Sequence, residues 1–270
     1  MFKTIALFGT MTGILLGIGW LLAQGTGLAI ALILALIING FSYWYSDKMV
    51  LKWYSAKPYD EKRINKILEK MAFNAKIPKP QLYVIDNPVP NALATGRDVS
   101  HASVAVTKGI LELEDDEIEG VLAHEISHIK NKDVLVATIA ATLGGAIAFI
   151  SQMAYFGMFS GGNRERGGGI AGLILIVFLA PLAATIVRLA ISRQREYMAD
   201  YTGALLTRKP RSLANALRKI SQHSQEASMN GNLATSHLWI VNPFRGEWFV
   251  GLFNTHPPVE RRIERLMEMV

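Results

Sequence analysis

His124-Glu125-Ile126-Ser127-His128 is the stretch of this chain whose residue types and spacing can do chemistry. On a helix, side chains four apart share one face, with β-carbons about 5–6 Å apart. Two imidazoles so placed can grip one tetrahedral metal ion at Zn–N distances of about 2.0–2.1 Å. Glu125 projects about 100° away from His124 round the helix, beside the metal rather than onto it. There it can take a proton from a water activated by the ion, which is the chemistry of the H-E-x-x-H pattern. The competing reading is a buried amphipathic helix with two incidental histidines.

The residues leading into the motif predict the helix that would carry it. The run Leu113-Glu114-Asp115-Asp116-Glu117 places carboxylates at the positive end of a helix dipole. Ile118, Val121, Leu122, Ile126 and Ile129 then follow the i, i+3, i+4 spacing of a packed face.

Half of the 270 residues are hydrophobic, and they cluster. No charged side chain occurs from Thr4 to Ser46, from Val134 to Asn163 or from Gly167 to Val187. A bilayer-spanning helix needs about 20 mostly apolar residues. The first run is long enough for two spans with Gln24-Gly25-Thr26-Gly27 as the turn, so the expected spans are 4–22, 27–45, 134–157 and 169–190. The alternatives are a cleaved signal peptide for the first span and a buried soluble hairpin for the last two. Gly144-Gly145 and the alanine-rich faces fit membrane packing better than the latter. The chain then divides into an N-terminal transmembrane hairpin (1–46), a cytoplasmic part with the H-E-x-x-H helix (47–133), a second hairpin (134–190) and a cytoplasmic part that completes the metal site (191–270).

Basic residues near span ends set orientation. Lys48, Lys52, Lys57, Lys62 and Arg63 follow the second span, Lys130 and Lys132 precede the third, and Arg188, Arg193 and Arg195 end the fourth. Only the loop holding Arg164 and Arg166 dissents. Both termini and the H-E-x-x-H helix are therefore expected in the cytoplasm. The net charge of +6 suits attraction to a membrane surface. No nucleic-acid motif accompanies it, and no nucleic-acid partner is expected. Cysteine is absent, so no disulfide holds any part together.

A zinc site needs a third protein ligand and an open position. The H-E-x-x-H-x-x-G-x-x-H extension is excluded, because Asn131 and Val134 stand where its Gly and His would be. After Asp133 the next carboxylate is Glu165, across the membrane in this topology, and the next again is Glu196, just past the fourth span. Topology selects Glu196. Asp200 lies one turn later on the same face and suits an acceptor for the outer N–H of a ligand imidazole. The competing reading for both acids is a juxtamembrane Arg/Glu surface cluster.

The H-E-x-x-H helix, the Glu196-to-Asp200 element after a hydrophobic pair, and Asn91-Ala92-Leu93-Ala94-Thr95-Gly96 together resemble the HtpX-type membrane metalloproteases, relatives of the CAAX prenyl proteases. The resemblance covers essentially the whole chain. It implies one zinc ion per chain and a mainly α integral membrane fold. Four transmembrane helices would carry a cytoplasmic zincin-like α+β catalytic domain with a small β-sheet. It also implies an endopeptidase of the plasma membrane, a bacterial inner membrane or its equivalent, acting in quality control under stress. Its partners would be membrane-protein or unfolded polypeptide substrates and the lipid bilayer. Thr255-His256-Pro257-Pro258 resembles the family's H-P-P element, which implies that His256 and Arg262 reach the site and steady the developing oxyanion. From the residues alone that segment is a proline-stopped loop before an amphipathic helix. Likewise Asn91 and Ala92 are implied to pair with substrate backbone, whereas the residues alone read as an ordinary hairpin around Ser103–Thr107. His101 reads as a surface residue, His223 and His237 have no recognisable spacing, and all three are left out of the site.

Two rival functions follow from the same residues. One is a narrow-specificity processing protease. The other is a metal-binding scaffold or transporter, which predicts ionisable residues inside the spans, where almost none occur.

Overall fold

The computed structural model describes residues 2–142, 193–226, 233–243 and 256–270. Helical residues run from Phe2 to Trp53 (α1), but not in one line. Gln24 takes a left-handed backbone, φ 46°, and Asn39 Nδ2 donates to Thr12 Oγ1 at 3.0 Å across 27 positions. That much straight helix would hold the two about 40 Å apart. The element therefore doubles back at Gln24 into two arms. The second arm, Gln24–Trp53, is long and apolar enough to cross a membrane. Ile33, Leu36 and Ile37 on it are 59, 65 and 60% exposed, so it is not the buried core helix of a soluble domain. It is the one such helix among the described residues. The four-span expectation reaches into residues 143–192, which lie outside them; residues 134–142 are helical.

A four-stranded sheet follows: β1 (Lys57–Pro58), β2 (Gln81–Ile85), β3 (Ala92–Gly96) and β4 (Ala102–Thr107), in the order β1-β2-β4-β3. β2 pairs parallel with β4; β1 and β3 pair antiparallel with their neighbours. The alternation of small apolar residues buries both faces. Ala92, Ala94, Val104 and Val106 face the main core, while Leu93 and Ala105 face the foot of α1, where they meet Val50, Leu51 and Trp239. Strand side chains alternate, so one short sequence serves two interfaces.

The main core is built round α3 (Asp115–Lys130), whose residues from Glu117 to Ser127 are all buried. Against it pack α2 (Lys62–Ala75), α4 (Arg193–Thr207) and α5 (Pro210–Glu226); α6 (Val259–Met267) closes the core beside α4 and α5. The acidic start of α3 holds its neighbours by ion pairs: Glu119 with Lys70, Asp116 with Lys209, Glu117 with Lys219 and Asp115 with Arg63. Glu117 also accepts from the Glu114 N–H, closing the first turn. Gly203 permits a close approach of α4 to α3: a methyl group there would stand 3.1 Å from the backbone nitrogen of His124. That glycine brings Glu196 and Asp200 within reach of the histidines.

Candidate metal centre

Three side chains from two helices converge. His124 Nε2 and His128 Nε2 lie 3.2 Å apart, and the Glu196 carboxylate is 3.4 Å from the second and 3.8 Å from the first. A tetrahedral ion with arms of about 2.0–2.1 Å sets its ligand atoms about 3.3–3.4 Å apart, so the residues fit zinc. It is the one His/Asp/Glu group of this kind among the described residues. Topology and spacing nominated these three, and the structure brings them together.

The surrounding charges explain why a cation belongs there. Glu125, Glu196, Asp200 and Asp133 are buried together, with Arg262 paired to Asp200 and Arg195 to Asp133, so Glu125 and Glu196 are the acids that no guanidinium is bonded to. Burial drives the His124 pKa down to about 4 despite Asp200, giving the neutral imidazole that a ligand must be. His128 moves the other way. Burial would lower it, but Asp133, Glu196 and Glu125 outweigh burial and carry it to about 9. Burial likewise opposes ionisation of Glu196, but His256, His128 and Arg262 hold its carboxyl well below the usual range.

Glu125 is 2% exposed, and burial pushes its carboxyl up to about 7, against the pull of His128, Arg262 and a hydrogen bond from the Ala94 N–H on β3. A carboxylate poised there suits a general base working near neutrality. Beside it lies a small cavity, about 40 Å³, with an apolar wall of Ala94, Val134, Ala137, Leu238 and Trp239.

Asp200 sits where the sequence placed it, with Oδ1 2.9 Å from His124 Nδ1. Its other contacts are to Arg262, whose Nη2 donates to Oδ1 at 2.7 Å and whose Nε donates to Oδ2 at 2.8 Å. Burial would raise the Asp200 pKa, but Arg262 and His124 hold it at about 2. Two expectations need correcting here. Arg262 is 0% exposed and does not line the cavity; its third bond goes to the Ile240 carbonyl at 2.6 Å. A guanidinium so committed holds Asp200 and the 240 segment, with Nη1 3.9 Å from the Glu196 carboxylate. Asn91 and Ala92 are also fully buried, and their polar groups are taken. Asn91 Nδ2 donates to the Val241 carbonyl at 2.8 Å, its Oδ1 accepts the Ala92 N–H, and the Ala92 carbonyl accepts the Ile240 N–H. The chain's own 239–241 segment, bridged antiparallel at Leu93 and Trp239, occupies the strand edge expected for substrate.

His256 does line the cavity: its Nδ1 lies 3.1 Å from Glu196, and its buried Nε2 has no partner among the described residues. Sequence reasoning missed three neighbours. His237 and Trp239 line the cavity from a 3₁₀ turn, Leu233–Leu238, and the residue after it, with nothing in their spacing to flag them. Asp133, five positions after His128, approaches that ring through a turn rather than along a helix face.

Comparison with known proteins agrees with this geometry. A sequence model of peptidase family M48 matches residues 58–270. A protein named protease HtpX homolog from Pyrococcus furiosus is 51% identical, over 99% of this chain and 95% of its own length. Another of that name, from Aquifex aeolicus, is 49% identical over 96% of this chain and 90% of its own. The crystal structure of S. mikatae Ste24p aligns with 97% of this chain at a TM-score of 0.55 and 18% identity. The chain spans 63% of that longer protein, and the likeness is one of fold.

Proposed function

This chain belongs to peptidase family M48, a membrane-bound zinc metalloprotease, and from that membership we propose that it is an endopeptidase for cytosolic loops and ends of misfolded or unfolded membrane proteins. The observation that carries the reading is the convergence of His124, His128 and Glu196 within ion-binding distance, with Glu125 beside them. In this reading His124, His128 and Glu196 hold the ion, which when bound supplies an activated water and polarises the scissile carbonyl. Glu125 accepts the proton of the attacking water on its carboxylate and passes it to the leaving amine nitrogen. His256 donates Nδ1–H to Glu196, and in its doubly protonated form its Nε2–H would meet developing negative charge on the carbonyl oxygen. Asp200 keeps the His124 proton on Nδ1, and Arg262 keeps Asp200 ionised.

Membrane-proximal substrates are favoured by where the site stands. Five residues separate His128 from Val134, where an uncharged run begins, and Glu196 follows another that ends at Val187. At 1.5 Å per residue the centre lies about 10 Å from the lipid boundary. Four spans, with the catalytic part and both termini in the cytoplasm, complete the proposal.

One experiment tests both chemistry and substrate class. The purified chain in liposomes is given one cleavable peptide either free or tethered to a transmembrane segment, with Glu125→Gln as control. The tethered form should be cut at least tenfold faster, and Glu125→Gln should keep its zinc while losing about 10²–10⁴ in rate. Equal cutting of both peptides would refute the substrate class, and an active Glu125→Gln the mechanism.

A further inference from the structure

We infer that Asp133 is the positioning residue for His128, the counterpart of Asp200 for His124, so that each zinc-binding imidazole has its own carboxylate and each carboxylate its own arginine. The inference rests on the zinc reading above. His128 stands in the last turn of α3, and its Nδ1, on the side away from Glu196, has Asp133 Oδ2 3.5 Å away. That is long for a hydrogen bond. The other oxygen of Asp133 is pinned by Arg195 Nη1 at 2.8 Å. On the first histidine the same order recurs: His124 Nδ1, Asp200, Arg262.

The end of α3 is shaped to deliver this acid. Asp133 N–H donates to the His128 carbonyl at 3.0 Å and Lys132 N–H to the Ile129 carbonyl at 3.1 Å, while Lys132 takes a left-handed φ of 60°. These two bonds make a Schellman turn. It folds residue 133 back over the carbonyl of residue 128, and with it the carboxylate over the ring. A residue five positions on would otherwise leave the helix face altogether. Arg195, next to the third ligand Glu196, then fastens the α4 side of the centre to the α3 side.

A carboxylate at Nδ1 fixes the tautomer, leaves the Nε2 lone pair free for the ion and holds the ring's rotation. His128 needs this more than His124 does, because its side chain is 16% exposed against 1%. Packing therefore constrains it less.

Asp133 also precedes the helical stretch 134–142, with its carbonyl accepting the Ala137 N–H at 3.1 Å, so a mere helix-capping role must be separated. The test measures zinc dissociation from the detergent-solubilised full chain by competition with a chromophoric chelator. The set is wild type, Asp133→Ala, Asp133→Ser and Asp133→Asn, with thermal unfolding of the zinc-free forms alongside. Serine caps a helix well but is too short to reach His128, whereas asparagine caps and still offers an oxygen. Ala and Ser are expected to bind zinc about 10–100-fold more weakly, with Asn within a few-fold of wild type. A capping role alone predicts Ser equal to Asn, and that result overturns the inference. So does unchanged affinity in all three. A wild type that takes up no zinc overturns the zinc reading along with it, whereas tight binding that Ala and Ser leave intact overturns this inference alone.

Discussion

Arg262 is buried away from the cavity and commits two of its N–H groups to the Asp200 carboxylate. The pair sits at 2.7 and 2.8 Å with both partners buried, in surroundings that penalise either charge alone. Arg262→Met should therefore cost about 3–5 kcal/mol, since it strands the Asp200 carboxylate. Chemical denaturation of the zinc-free protein checks this; a loss below about 1 kcal/mol would show that the pair is not the latch described. At this scale the motif residues were legible because helical periodicity alone puts His124 and His128 on one face. Glu196 was legible only through topology. Asn91, Ala92 and Arg262 lie near the centre as expected of site residues, but the structure buries them and bonds their polar groups within the chain. A short sequence pattern shows that a residue belongs near a site, but not whether its polar groups are already spent on the chain's own backbone, as with Val241 and Ile240 here. Asp133 escaped because no helical spacing leads from 128 to 133.

Among the elements, the C-terminus of α3 holds an unusual choice. The left-handed position of its Schellman turn is Lys132, where glycine is the common residue because it lacks a β-carbon. Lys132→Gly should relieve that strain and raise stability by about 0.5–1 kcal/mol, or about 2 °C in thermal midpoint, without weakening zinc binding. A fall in midpoint would mean that the lysine side chain contributes a contact outweighing the strain. The turn was hidden in the sequence for the same reason: without a glycine, nothing marks residue 132 as the place where the backbone reverses. The sheet was easier to read. Alternating small residues at 102–107 announce a strand, and the doubling of faces explains why Leu93 and Ala105 differ in neighbours from Ala92 and Val104. The 3₁₀ turn bearing His237 has no periodicity, so its place beside the centre emerged only from the tertiary fold.

For the whole molecule, the decisive fact is that both flanks of residues 143–192 are fixed. Asp133 and Arg195 form an ion pair at 2.8 Å, and His128 and Glu196 face one another across the metal position. A chain segment that leaves and returns to one catalytic body crosses a bilayer an even number of times, whatever its path. Within that segment and its flanks lie two uncharged runs, Val134 to Asn163 and Gly167 to Val187, each long enough for one crossing. With two crossings the Arg164–Arg166 loop would lie on the side opposite the zinc centre, against the preference of those two arginines for the cytoplasm. Because the chain has no cysteine, single thiols can decide. Gly162→Cys should react with a membrane-impermeant maleimide in intact cells. Phe73→Cys, at a site 83% exposed on the catalytic body, should react only after permeabilisation. Labelling of both from the same side would mean zero crossings, a shallow hairpin lying on the cytoplasmic face. The two arginines would then sit where their charge prefers, and the centre would be held at the membrane by the α1 hairpin alone.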